Sequence, residues 1–344
     1  MNKLVIASIR RSAGKTGLII GLGKALQKKI GYLKPLGDRL IYQEKHLWDY
    51  DSALMSKIFG LKENPEEITL GFHHSKLRYM YDRESTRKKL REIADQAGAG
   101  KDLLLVEAGQ DLIYGASVFL DAISLAEHLE AKLMLVISGN DDIILDDIQF
   151  LEKNRASLPA GFSGIIINKL RDLEDFKNSY LPLVKDTGME VLGLIPFSSE
   201  FSYFSARYLA ESLLAKVIAG EAGLSRIVEN VFLGVQPVEE AIRNRGFKKE
   251  NNLLIAGGDR EDLILAAMES DFAAIVLTNN IQPRANIISQ ATLLKIPVLL
   301  TASDTYQVAR QAENLEPLIS AEDQEKISLL EMLVRKNVNL AKVF

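Results

Sequence analysis

Lys15 and Thr16 are the first residues whose types and placing could do chemistry. They sit in the stretch Ile9-Arg10-Arg11-Ser12-Ala13-Gly14-Lys15-Thr16-Gly17, between an apolar run from Leu4 to Ala7 and a segment with apolar residues at Leu18, Leu22 and Leu26. The run reads as a buried strand and the segment as a helix. An ammonium and a hydroxyl at the start of a helix, behind a short glycine-bearing turn, suit the gripping of a polyphosphate. Main-chain N–H groups surround the anion, and the helix N-terminus favours its charge. In that arrangement Ser12, Ala13, Gly14 and Gly17 belong to the cradle, Lys15 reaches the terminal phosphates, and the Thr16 hydroxyl helps to hold Mg²⁺. The pattern G-x-x-x-x-G-K-[ST] is incomplete, since Ile9 stands where its first glycine belongs. The reading as a nucleotide site therefore rests on the order strand, turn, helix; the alternative is a surface turn with a chance Gly-Lys-Thr.

Further candidates end apolar runs. Glu107 closes Leu103 to Val106, where a carboxylate at the ligand edge of a parallel sheet can orient Mg²⁺ or its water. Ordinary loop starters stand there too. Asp51 is a second carboxylate for the same cation, with Asp49 two positions away and helix capping open to both. Lys34, in the strand-like Ile30 to Leu36, can meet a substrate carboxylate or a γ-phosphate, or lie solvated. Arg10 and Arg11 lie inside the turn; an arginine there can stabilise charge developing in phosphoryl transfer, and at least one of the pair must point outward. Asn168 can bond an adenine edge, and Pro196 with Phe197 can wall the base. His73 and His74 read as loop residues, and Trp48 as core or a pocket aromatic.

The elements that must position these groups are legible as short, wholly apolar runs at 4–7, 30–36, 103–106, 133–137, 164–168 and 191–196, alternating with helical patterns at 52–59, 83–98, 117–129, 141–154 and 172–187. That alternation predicts an α/β fold with a mostly parallel sheet covered on both faces. Residues 1–215 make the expected first domain, 216–224 a small-residue linker, and 225–344 a smaller α/β domain. The smaller domain has strands near 252–256, 274–278 and 297–300 and a last helix from 321 to 334. Its polar turns Gly257-Gly258-Asp259-Arg260, Thr278-Asn279-Asn280 and Ser303-Asp304-Thr305 all follow strands, which makes either a ligand edge or three capped helices. The net charge is −4, from 42 basic and 46 acidic residues, so no field draws nucleic acid or an anionic membrane. There is no cysteine, which excludes disulfides, thiolate metal sites and cysteine nucleophiles. With no signal-peptide pattern and no run long enough to span a bilayer, a soluble cytoplasmic protein is expected.

Taken in order, ASIRRSAGKT, GYLKP, LLLVEAGQDLIYGASVFLDAISLAEHL with LMLVI after it, GIIINKL and VLGLIPF, then IAGGDREDLILAAM, IVLTNN and IPVLLTASDTYQVA, cover nearly the whole chain. Together they resemble the dethiobiotin-synthetase-like N-terminal portion of some phosphotransacetylases, also found as stand-alone proteins, in which a P-loop domain precedes a small α/β module named DRTGG. The resemblance implies a P-loop domain binding ATP and Mg²⁺. It implies phosphate and Mg²⁺ roles for Lys15 and Thr16, Mg²⁺ carboxylates at Glu107 and Asp51, a substrate lysine at Lys34, an adenine contact at Asn168, and a homo-oligomer. Departures stand at Ser8 and Ile9, at Ala108-Gly109-Gln110 after Glu107, and at Asp259-Arg260, which is all that remains of the DRTGG motif. No part of these residues matches the phosphotransacetylase catalytic domain, so acetyl transfer is not expected. The expected function is a regulatory nucleotide-binding protein whose DRTGG module takes a second effector or mediates assembly. The alternative is an ATP-dependent ligase that activates a small carboxylate or carbamate as an acyl phosphate, with Lys15 and Arg10 on the phosphoryl group and Lys34 positioning the acid.

Overall fold

In the computed structural model, which describes residues 1–43, 46–313, 315 and 317–343, the apolar runs become strands and the polar turns join them to helices. The order is β1 (Asn2–Ser8), α1 (Lys15–Ala25), β2 (Ile30–Leu33), the hairpin β3 (Leu40–Gln43) and β4 (His46–Asp49), α2 (Tyr50–Phe59), α3 (His74–Met80), α4 (Arg83–Gly98), β5 (Leu103–Glu107), α5 (Ala122–Leu129), β6 (Lys132–Ile137), α6 (Asp141–Lys153), β7 (Phe162–Leu170), α7 (Leu173–Asp175), α8 (Leu181–Asp186) and β8 (Val191–Pro196). Six of these strands form one sheet in the order β2-β5-β1-β6-β7-β8, parallel throughout. Leu4 to Ala7, Leu103 to Val106 and Leu133 to Val136 are buried on both faces, which is why these strands read as unbroken apolar runs. The connection after β1 runs toward β2 and that after β6 toward β7. The strand order therefore reverses beside β1, and the carboxyl ends there form the crevice of an open α/β sheet.

A second unit, residues 199–318, has its own core. It comprises β9 (Phe204–Ser205), α9 (Ala206–Ser212), β10 (Lys216–Ala219), β11 (Ile227–Val228), β12 (Asn230–Leu233), α10 (Val238–Arg243), β13 (Asn252–Gly257), α11 (Glu261–Glu269), β14 (Ala274–Thr278), α12 (Ala285–Leu294), β15 (Val298–Leu300) and α13 (Thr305–Glu313). Its sheet runs β10-β15-β14-β13-β12, with only β10 antiparallel. Phe247 packs against Phe232 and Phe272, at ring separations of 5.0 and 4.7 Å. Thr278 at the end of β14 is wholly buried, its hydroxyl 3.0 Å from that of Thr305.

Two boundaries differ from expectation. Residues 216–224 are no linker: β10 pairs with β15, and a Cβ on Gly220 would lie 2.0 Å from the Ile296 carbonyl oxygen. Small residues here answer a close backbone approach rather than flexibility. Residues 319–344 leave the second unit and return to the first. There α14 (Gln324–Asn337) packs along α1, burying Ile327, Leu330 and Val334, and the chain ends in α15 (Leu340–Val343). Gly21 makes that approach possible, since a Cβ there would stand 2.7 Å from the Leu330 carbonyl oxygen. A helix whose apolar stripe finds no face in its own neighbourhood of sequence must seek one further away. The hairpin β3–β4 and helix α3 are additions to the elements read from the sequence, and the helix expected from 117 is shortened to begin at Ala122, capped by Asp121. No helix among the described residues is long and apolar enough to cross a membrane.

Candidate functional site

The turn between β1 and α1 is shaped by backbone that few residues adopt. Ser12 and Gly14 lie in the left-handed region at φ 55° and 92°. A Cβ on Gly14 would meet Asn168 Nδ2 at 2.4 Å, so position 14 requires glycine for space as well as for conformation. The turn's carbonyls are held from neighbouring strands. Asn168 Nδ2 donates to the Ala13 oxygen at 2.9 Å, Lys169 Nζ to the Ser12 oxygen at 2.7 Å, and Ser8 Oγ to the Arg10 oxygen at 2.7 Å. The first bond of α1 runs from Leu18 N to the Gly14 oxygen, so the N–H groups of Lys15, Thr16 and Gly17 have no acceptor within the helix. Gly14 supplies no side-chain cap, and the first turn carries no acid. The positive end of α1 is thus left uncompensated by its own residues, beside β1.

Lys15 and Thr16 point to two different partners. The buried Lys15 Nζ donates to Ser8 Oγ at 2.9 Å and to the Gln110 carbonyl at 3.1 Å. Burial lowers the Lys15 ammonium from its ordinary value, against the opposing pull of Glu107. Thr16 Oγ1 donates to Glu107 Oε1 at 2.8 Å, and Tyr32 from β2 donates its hydroxyl to Oε2 at 2.8 Å. Parallel pairing sets Ile6 beside Glu107, which brings the end of β5 to the turn that follows β1. Burial, and next the nearby Asp51 carboxylate, push Glu107 up to about 7, although Lys34 and Lys15 oppose the shift. A carboxylate held by two hydroxyls next to an ammonium is a hard-oxygen donor in want of positive charge.

Lys34 is committed to acids of this chain. Its Nζ lies 2.5 Å from Asp51 Oδ2, 2.6 Å from Asp38 Oδ1 and 3.5 Å from Asp49 Oδ1. Burial works to lower this ammonium, but Asp51, Glu107, Asp49 and Asp38 together hold it well above the usual lysine value. Asp49 is the capping residue of the pair: it caps α2 through Ser52 N and accepts from Asp38 N and Arg39 N. Asp51 keeps its Oδ1 buried without a hydrogen bond, 3.6 Å from Arg39 Nη1.

Several of the expected residues are engaged within the chain itself. Arg10, expected at the phosphoryl group, instead lays its guanidinium on both oxygens of Asp147 in α6, at 2.9 to 3.1 Å, where it anchors the turn. Arg11 is exposed as well, with its Nε 3.9 Å from Asp111 Oδ2. Lys34, expected to meet a substrate acid, meets three acids of its own chain. The Asn168 amide is spent on the Ala13 carbonyl rather than presented as a base contact. Pro196 ends β8, half-buried, paired with Leu170 at the far edge of the sheet from β2. His74 opens α3 with its ring edge-on to Tyr114. Ser8, Tyr32, Asp38, Gln110, Asp147 and Lys169 carry contacts at the site for which the sequence suggested no role. Only Asp38, four residues after Lys34, and Lys169, beside Asn168, carried any signal of position.

Comparison with known proteins agrees with this architecture. Residues 2–203 match the family model described as an AAA domain, and residues 208–315 that of the DRTGG domain. The phosphate acetyltransferase of Pseudomonas putida is 23% identical over 367 residues, covering 99% of this chain and 51% of the relative. That of Pseudomonas aeruginosa is 25% identical over 362 residues, covering 95% and 49%. The chain therefore spans about half the length of these curated relatives. Among solved structures, the MinD cell division protein of Aquifex aeolicus is 18% identical with a TM-score of 0.37, covering 59% of this chain and 84% of its own. The CBS and DRTGG domains of the regulatory region of Clostridium perfringens pyrophosphatase, complexed with the activator diadenosine tetraphosphate, are 14% identical with a TM-score of 0.28, covering 49% and 85%. Through residues 2–203 the chain belongs to the AAA-domain family AAA_26, here joined to a DRTGG domain.

Proposed function

We propose that this chain is a nucleotide-binding regulatory protein that takes ATP with Mg²⁺ at the turn between β1 and α1. One observation carries the reading. The Thr16–Glu107 hydrogen bond of 2.8 Å places a hydroxyl and a carboxylate beside Lys15, at the start of a helix with no cap of its own. A polyphosphate would be met by the N–H groups of the first turn, and Lys15 would exchange Ser8 and the Gln110 carbonyl for phosphate oxygens. The residues fit Mg²⁺: Thr16, Glu107 and Asp51 offer hard oxygens, and Asp51 Oδ1 is buried with no hydrogen bond. When bound, the ion would neutralise phosphate charge; the protein's part is to orient these oxygens through Tyr32, Asn168 and Ser8.

Binding without turnover is favoured over the ligase alternative by the commitments of two side chains. Acid activation needs a cation for the substrate carboxylate and another for the moving phosphoryl group. In the nucleotide-free chain Lys34 is matched by three acids and Arg10 by Asp147, which leaves neither of the pair facing a substrate carboxylate. On this reading the DRTGG domain takes a second effector, and the protein works as a cytoplasmic homo-oligomer, by analogy with related P-loop synthetases. Calorimetric titration tests the proposal. Mg-ATP is expected to bind the wild type, and Lys15→Ala to weaken it by roughly a hundredfold, as loss of a charge-assisted contact would. Unchanged affinity in Lys15→Ala would overturn the site. Phosphate release stimulated by any amine and carboxylate pair would restore the ligase reading.

A further inference from the structure

The Lys34 ammonium occupies a position with the donor set of a cation site. Asp38, Asp49 and Asp51 each offer one oxygen, and these oxygens all lie within 4.8 Å of one another. Carboxylate oxygens gathered so closely are a donor set that a hard divalent ion can accept. Here Lys34 Nζ stands among them, with its side chain only 3% exposed. The arrangement is preorganised by main chain, because Asp49 is fixed through Asp38 N, Arg39 N and Ser52 N. A second observation points the same way. Asp51, 2% exposed, gives one oxygen to Lys34, and its other buried oxygen takes no hydrogen bond and has the Arg39 guanidinium 3.6 Å away. The three carboxylates face the cations of Lys34 and Arg39.

We propose that Lys34 is a displaceable internal counter-ion, which holds the cation position of Asp38, Asp49 and Asp51 in the nucleotide-free chain and must release Asp51 before a divalent ion can be held there. The inference rests on the nucleotide reading and adds regulation to it. A divalent ion alone cannot dislodge the ammonium, since Lys34 would then be a buried charge with no partner. A polyphosphate at the start of α1 supplies the anion to which the flexible lysine stem can turn. Metal and nucleotide are therefore taken together, and the chain ignores divalent ions in the absence of a polyphosphate.

The test uses Mn²⁺ as probe, followed through the loss of its free-ion paramagnetic resonance signal, on full-length protein without nucleotide. Wild type is expected to leave the signal unchanged at concentrations where Lys34→Met takes up one ion per chain, with at least roughly tenfold tighter binding, as removal of a competing charge implies. Adding Asp51→Asn to Lys34→Met is expected to abolish that uptake. Mn²⁺ uptake by Lys34→Met no better than by wild type overturns the proposal. Should Lys34→Met fail to fold by circular dichroism, Lys34→Met with Asp38→Asn restores the charge balance. Uptake by that double variant, above wild type, is then the expected result, and its absence overturns the proposal equally. The two readings fail separately. If wild type binds Mg-ATP through Lys15 while no Lys34 variant takes up Mn²⁺, only the counter-ion role falls. If the Lys34 variants take up Mn²⁺ while wild type binds no Mg-ATP, the nucleotide site falls and the cation position stands.

Discussion

The Thr16 hydroxyl, at the second position of α1, donates a 2.8 Å hydrogen bond to Oε1 of Glu107, the last residue of β5 and 91 positions later in the chain. Everything proposed for the site depends on that meeting. It exists because β1 and β5 are parallel neighbours in register, so that the turn after one strand and the acid ending the other share an edge of the sheet.

Glu107 makes the stability of the metal-free protein depend on pH. Its carboxyl is raised from 4.5 to about 7, so the folded chain holds a proton that the unfolded chain releases. The stabilisation is complete below pH 4.5 and is lost as pH rises through about 7, a difference of roughly 3 kcal/mol at most. Urea unfolding without divalent ions, followed by the fluorescence of the single Trp48, is expected to show lower stability at pH 8 than at pH 5. Glu107→Gln should flatten that slope; an equal slope in the variant would assign it elsewhere.

Gly14→Ala should damage the turn from inside. The left-handed backbone alone costs an alanine about 1–2 kcal/mol, and the new Cβ would displace Asn168 from the Ala13 carbonyl. Lower unfolding midpoints together with weakened Mg-ATP binding are expected in titrations of the variant. Retained affinity would mean that the turn's shape does not matter to the nucleotide.

Arg10→Ala distinguishes an anchor from a phosphate ligand. The Arg10–Asp147 pair is bidentate, but the arginine side chain is 52% exposed, so solvent screening limits the coupling in a double-mutant cycle to about 1 kcal/mol. Nucleotide affinity is expected to change by less than about fivefold, the equivalent of 1 kcal/mol. A far larger loss of affinity, with stability intact, would return Arg10 to the phosphates.

Gly21→Ala and Gly17→Ala form a contrast along one helix. Alanine in a helix interior gains up to about 1 kcal/mol over glycine. At Gly21 the added carbon would press on the Leu330 backbone oxygen at 2.7 Å and on Val334 at 2.5 Å, so overpacking of roughly 1–3 kcal/mol wins and the variant loses stability. At Gly17 the nearest atom is the flexible end of Leu330 at 3.3 Å, and the change should be close to neutral. Chemical denaturation of both variants measures the difference; equal midpoints would show that α14 does not bind α1 as tightly as its burial implies.

The strands of the central sheet were legible because a strand covered on both faces must be apolar at every position, and that demand is written locally in runs such as Leu103 to Val106. Gly14, Lys15 and Thr16 were legible for a similar reason, since a left-handed turn opening a helix constrains residue type where it stands. The sequence by itself therefore determined the α/β class, the place of the turn and the acid that closes β5. Tertiary structure alone decided that Arg10 belongs to Asp147, that Lys34 lies among Asp38, Asp49 and Asp51, that the stretch from Lys216 completes a sheet, and that α14 returns to cover α1. Propensity and periodicity say which side chains must be buried. Which buried charge meets which, and which apolar stripe meets which face, follows only from packing between segments far apart in the chain.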